Sequence, residues 1–139
     1  MTIPEMRRSH SYHELAYRVP VLAYAGLIFL LSSVPRFPDV FPSFFGFDKI
    51  VHFSEYYLFG CLIRRWLGAE RSRFANQHAV ILTILIGTFY GISDEWHQSF
   101  VAGRDASIWD AFIDALAVAT AASTYLWILR RIPLFKTLA

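Results

Sequence analysis

The stretch YGISDEWHQSF, residues 90–100, follows without a break on the apolar run AVILTILIGTF, residues 79–89. A helix through both would place two acids, a histidine and a glutamine at one end of a segment otherwise suited to lipid. Either the segment leaves the membrane there, or it carries a polar site into the membrane's outer layers. What the other segments bring to the same depth decides between the two.

Composition narrows the setting. The chain has 139 residues, one domain (1–139) by length, and it is 55% hydrophobic with a mean hydropathy of +0.39. A globule of that size in water has too much surface for its volume to hide so much apolar side chain. The net charge of +2 gives no electrostatic argument for nucleic acid. Cys61 is the one cysteine, which excludes an intrachain disulfide and a cysteine-built zinc site.

A membrane helix needs about 20 mostly apolar residues. Four segments qualify as candidates, at about 19–34, 48–67, 79–98 and 107–129, which predicts an all-α, four-helix transmembrane bundle. No small-x-small cleavage pattern follows the first, so it reads as a retained anchor. Pro35, Pro38 and Pro42 break the chain after it, and Gly103 marks the short turn between the last two. The polar residues through His13 read as a short surface stretch.

Basic residues set the direction. With four crossings, one side holds Arg7, Arg8, Arg18, Arg64, Arg65, Arg71, Arg73, Arg130, Arg131 and Lys136; the other holds Arg36, Lys49 and Arg104. The positive-inside rule then predicts cytoplasmic N- and C-termini in a multi-pass membrane protein. Trp66 and Trp127 fall near the inner ends and Trp96 and Trp109 near the outer ends, as interfacial anchors do.

On that topology three segments place ionisable residues at one outer depth. Residues three, four or seven apart share a helix face. Asp48, His52, Glu55 and Phe59 form one stripe with Tyr56 at its edge. Gly87, Tyr90, Asp94, His97 and Gln98 form a second, and Ser107, Asp110, Asp114 and Ala117 a third. Gly87, Gly91, Ala117 and Ala121 would let the helix backbones approach closely beneath the polar layer. Structural readings compete at several positions. Asp48 suits a helix N-cap, Ser107 with Asp110 has capping-box spacing, and Glu95 reads as an idle headgroup residue a quarter turn off the Asp94 stripe. Glu55 lies deeper and calls for a partner such as Lys49 or Arg104. A network of ion pairs that only pins helices together is the strongest plain alternative.

The segments DKIVHFSEYYLFG (48–60) and YGISDEWHQSFVAGRDASIWDAFIDALA (90–117) resemble the VanZ-like family of small bacterial integral membrane proteins. The resemblance carries over Asp48, Lys49, His52 and Tyr56 in the first block. In the second it carries Asp94, Glu95, His97, Gln98, Gly103, Arg104, Ser107 and Asp110. Ala102 stands where many relatives have proline, and Asp114 and Ala117 stand where many have asparagine and glycine. The resemblance implies a role at the cell envelope and an association with resistance to teicoplanin-type lipoglycopeptides; it supplies no defined reaction.

Two functional classes follow. In the first, an enzyme works on a lipid-linked or envelope substrate, with His52 and His97 as bases and Asp94, Glu95 and Asp114 orienting them or donating protons. Lys49 and Arg104 would hold a phosphate or carboxylate, beside Asp48, Tyr56, Gln98 and Asp110. Histidines with carboxylates also suit zinc or iron, although no motif such as H-E-x-x-H is present, and no cofactor is specified. In the second class, a non-catalytic protein binds or shields a lipid or lipoglycopeptide, using the outer connection PRFPDVFPSFFGF (35–47) as an aromatic surface. A proton or ion path is disfavoured, because AVILTILIG and LAVATAASTYLW contain nothing that ionises. The residues fix no oligomeric state.

Overall fold

The computed structural model describes residues 14–35, 47–104 and 106–131, and among them every regular element is a helix. One π-helical turn, Glu14–Arg18, leads into α1 (Val19–Ser32), followed by α2 (Phe47–Ala69), the short α3 (Arg73–Gln77), α4 (Ala79–Gln98) and α5 (Ile108–Arg131). The long helices alternate in direction. Their order and bounds match the four expected segments, apart from α3, which Ser72 opens by accepting the Ala75 N–H at 3.4 Å. The polar residues through His13, most of the 35–47 connection, and the basic residues Arg7, Arg8, Arg36 and Lys136 lie outside the described residues.

Among the described residues, three helices are long and apolar enough to cross a membrane: Leu15–Ser32, Ala79–Gln98 and Ile108–Arg131. The fourth expected span, α2, has 23 residues, about 34 Å at 1.5 Å per residue, so its length suffices. Its composition does not, because Asp48, Lys49, His52, Glu55, Arg64 and Arg65 interrupt it. The packing shows why such a sequence is tolerable. α2 makes its most extensive contacts with α5, then with α4, and polar residues on the faces turned to those helices need not meet lipid.

Tyr56, Phe59, Gly60, Ile63 and Leu67 form the buried stripe of α2. They meet Ala117, Val118, Ala121 and Ala122 of α5 and Thr83 and Gly87 of α4. Val118 is the wedge. A Cβ on Gly60 would stand 3.1 Å from its Cα and 2.8 Å from Ala121 Cβ, and a Cβ on Gly87 would stand 2.6 Å from Val118 Cγ1. Two helices thus reach α5 through glycines. Gly87, Gly91, Ala117 and Ala121 lie at the interfaces the sequence assigned them, and Gly60 joins them.

The outside is the reverse of a soluble protein's. Leu22 and Phe89 are each 70% exposed, with Leu30, Ile81 and Phe112 similarly open. So large an apolar surface suits lipid tails as solvent. Polar contacts tie α1 to the bundle at its two ends. At one, Arg18 donates to Glu70 Oε2 at 3.1 Å, Trp66 Nε1 donates to the same oxygen at 2.9 Å, and Arg65 donates to Ala16 O at 2.8 Å. At the other, Arg104 donates to Val34 O at 3.1 Å and, at 2.8 Å, to Leu31 O, which also accepts the Val34 N–H.

Two outcomes follow. Gly60→Leu or Gly87→Leu should cost about 1–3 kcal/mol by overpacking against Val118, whereas Gly26→Leu, with nothing within 4 Å of its Cβ, should be neutral in thermal unfolding in detergent. Burial pushes the Glu70 carboxyl up, but the bonds from Arg18 and Trp66 outweigh it and hold the group below its ordinary value. Its contribution is therefore complete above the unfolded-state pKa of about 4.3 and is lost as pH falls through the lower folded value. The melting difference between wild type and Glu70→Gln should shrink over that acidic window, and a difference constant with pH would refute the assignment.

Candidate functional site

The turn after α4 folds back so that the first residues of α2 and α5, the last residues of α4 and the end of α1 converge at one end of the bundle. One-turn spacing along each helix then aims its polar residues at the others. From α2, His52 Nδ1 lies 3.1 Å from Asp114 Oδ1 of α5. Lys49 pairs with Asp110 of α5 and, at 2.9 Å, with Asp48. Glu95 of α4 accepts the Ser107 N–H at 2.7 Å and so caps the start of α5. Asp94 receives Ser32 Oγ of α1 at 2.5 Å on one oxygen and Gln98 Nε2 at 3.0 Å on the other. His97 faces α1, 2.9 Å from Ser33 Oγ and stacked on Phe29 at 4.5 Å between ring centres.

Burial separates these groups. Asp114 is fully enclosed, and Asp94, Glu95, Gln98 and Asp110 are at most 7% exposed, while Asp48 is open to its surroundings. Three buried polar atoms of the cluster have no hydrogen-bond partner: Tyr56 Oη, Glu95 Oε1 and Asp114 Oδ2. In a low dielectric such atoms are costly, and they mark where a further polar group would be held most strongly. The imidazole–carboxylate pair of His52 and Asp114 has the geometry of an acid–base couple.

Several expectations change. Glu95 is not an idle headgroup residue; it is buried and bridges α4 to α5. The Ser107–Asp110 capping box is not formed, because Glu95 takes the Ser107 N–H and Lys49 takes the Asp110 carboxylate. Asp48 sits within the first turn of α2 instead of capping it. Glu55 pairs with neither suggested cation: Lys49 is engaged by two aspartates and Arg104 by two carbonyls. The same engagements leave the pair poorly placed to hold a phosphate. The two histidines point to different helices, His52 to α5 and His97 to α1.

Sequence reasoning missed Ser32, Ser33 and Phe29. Their signal was the pair of hydroxyls closing the first apolar run at the depth of Asp94 and His97. With them comes an open groove of about 500 Å³ between α1 and α4, lined by Phe29, Tyr90, Ser93, Asp94, Trp96, His97 and Phe100. Its walls are aromatic and its polar groups are few. The 35–47 connection, the expected aromatic surface, lies outside the described residues apart from its two end positions.

Ser32→Ala should leave a buried Asp94 oxygen without its donor and cost about 1–3 kcal/mol. Ser33→Ala, at the half-buried His97, should cost less. Equal losses in detergent unfolding would mean that Asp94 is already solvated.

A family model described as VanZ/LLP1 matches residues 5–130. An uncharacterized protein of Schizosaccharomyces pombe is 31% identical over 112 residues, 80% of this chain and 65% of the yeast protein. The aligned part of the chain therefore spans just under two-thirds of that relative's length. No solved structure matches the chain.

Proposed function

The chain belongs to the VanZ/LLP1 family, and from the geometry of its polar end we propose that it is a single-domain, four-helix membrane protein that binds an amphiphile from the extracytoplasmic leaflet. On this reading α2 is the fourth span, the arginine-rich end with both termini faces the cytoplasm, and the polar end faces outward. The groove between α1 and α4 is the observation that carries the proposal. Phe29, Tyr90, Trp96 and Phe100 offer an apolar wall to an acyl chain, and Asp94, His97 and Ser93 offer polar contacts to its head. The cluster is acidic and its cations are engaged, so the head it suits is rich in N–H or O–H donors, such as a sugar or an amine.

In a bacterial cytoplasmic membrane, a lipid-linked envelope precursor or an acylated glycopeptide has that chemistry. The association of VanZ-like proteins with teicoplanin-type resistance fits the same ligand class. A catalytic reading has one observation in its favour, the enclosed His52–Asp114 couple with an unpartnered carboxylate oxygen behind the groove. It would make His52 the base and Asp114 its orienting acid.

The test compares wild type, Asp94→Asn, Ser93→Trp and the control Ser54→Trp at matched membrane abundance, scored by lipoglycopeptide susceptibility and by crosslinking to a photoreactive acyl lipid. Loss of a charged hydrogen bond, about 1.5–3 kcal/mol, should weaken binding roughly tenfold or more in Asp94→Asn. Ser93→Trp should block the groove, and Ser54→Trp should behave as wild type. If Ser93→Trp and Asp94→Asn both retain wild-type crosslinking and susceptibility, the groove is not the binding site. Loss of activity with unchanged crosslinking in His52→Gln would favour the catalytic reading.

A further inference from the structure

Behind the groove, α2, α4 and α5 each contribute one buried or half-buried ligand-type side chain to a single point. One donor atom from each of His52, Glu95 and Asp114 lies within 4.8 Å of the other two. We infer that these three residues form a binding site for one divalent first-row transition-metal ion, of the zinc, manganese or iron(II) type.

Proximity of acids alone would be a weak argument, but here two further facts point to a cation. Asp114 is fully enclosed and Glu95 is 93% enclosed, yet Asp114 Oδ2 and Glu95 Oε1 have no hydrogen-bond partner. Both are acceptors held away from donors, which is costly unless a positively charged group meets them. The one nearby lysine does not do so, because Lys49 is shared between Asp48 and Asp110.

The distances fit. Two ligands about 2.1 Å from one ion lie roughly 3.0 Å apart at a right angle and roughly 3.4 Å apart in a tetrahedron, and His52 Nδ1 and Asp114 Oδ1 are 3.1 Å apart, between the two. All three donor atoms lie within 4.8 Å of one another, so a modest contraction around an ion would bring Glu95 into the same shell. Glu95 can meet an ion through Oε1 while Oε2 keeps the Ser107 N–H, so the cap that starts α5 also orients the ligand.

Charge and donor type narrow the ion. Two carboxylates and a neutral imidazole balance a divalent cation, leaving a site of no net charge at a depth where net charge is unfavourable. An imidazole among oxygens suits zinc, manganese or iron(II) over calcium or magnesium, and the lack of a sulfur ligand disfavours copper(I). Gly91 keeps the floor of the site low: a Cβ there would stand 3.0 Å from Asp114 Cβ and 3.3 Å from Asp114 Oδ2. The inference concerns metal uptake and stands whether or not the groove binds an amphiphile.

The full chain in lipid nanodiscs, stripped with chelator, would be titrated with zinc and its bound metal counted by mass spectrometry. The expected result is one zinc per chain and a melting rise on the order of 5 °C. His52→Gln, Glu95→Gln and Asp114→Asn should each weaken uptake by more than about tenfold, a loss that even changes outside the ligand set can cause. His78→Gln, an exposed histidine at the opposite end of the bundle, should leave uptake intact. X-ray absorption on zinc-loaded wild type supplies a readout that needs no variant, and should show one imidazole among oxygen ligands. Failure of stripped, folded wild type to take up zinc, manganese or iron(II) below about 100 µM would overturn the inference, as would uptake indifferent to the three substitutions. A metal shell with no imidazole, or with two, would overturn it equally.

Discussion

Among the described residues, the polar end of the bundle holds four carboxylates that are at least nine-tenths buried, Asp94, Glu95, Asp110 and Asp114, where water cannot solvate them freely. Lipid offers nothing in its place. Each acid must therefore find a donor or a cation on another helix, and that requirement sets which helix faces meet. Asp110 fixes the start of α2 through Lys49, Asp114 fixes it again through His52, and Glu95 anchors the start of α5. The glycines do the complementary work lower down. They bring α2 and α4 close enough to α5 that those side chains can reach each other at all, with Val118 as the common stop. Packing below and polar satisfaction above are one geometric solution.

Much of this was legible in the residues. The turn signals, the apolar runs and the one-turn spacing of acids and histidines placed the helices and gathered the polar groups at one end. What spacing could not decide was which partner each group takes. Glu95 lies off the Asp94 stripe and so reads as a bystander. It is buried because the turn through Gly103, with φ of 78°, brings the Ser107 N–H onto it, and periodicity along a single helix contains no information about that return. Ser107 and Asp110 have the spacing of a local cap, but tertiary partners took both groups. Gly60 looked like one more small residue in an apolar run until Val118 and Ala121 were found against it.

α2 shows the same limit from the side of composition. Asp48, Lys49, His52, Glu55, Arg64 and Arg65 put it below the hydropathy of a membrane span, while its length and its position among α1, α4 and α5 are those of one. Hydropathy assumes that a helix meets lipid all round. Where His52 and Tyr56 instead turn toward neighbouring helices and Lys49 is paired with Asp110, the average understates what lipid would tolerate, because those polar atoms face partners more than lipid.

α1 differs from the rest of the bundle in how it is attached. Its contacts with α2 and α4 are few, and association of helices in lipid draws little from apolar contact, since tails offer the same chemistry. The hydrogen bonds matter more there. Tyr90 donates to Ala25 O at 2.6 Å, Ser32 reaches Asp94, Ser33 reaches His97, and Arg104 closes the carbonyl end. Asp94 and His97 also line the groove, so the atoms that hold α1 in place are the atoms a polar headgroup would approach. A head that donates a hydrogen bond to Asp94, or bonds the His97 ring, would compete with Ser32 or Ser33, and binding there would be coupled to how tightly α1 stays docked. An apolar chain in the same groove would do the opposite, since it would add contact to Phe29 of α1, where α1 has little. Net attachment of α1 would then be set by the balance between head and tail, a physical reason for such a groove to discriminate among amphiphiles by both.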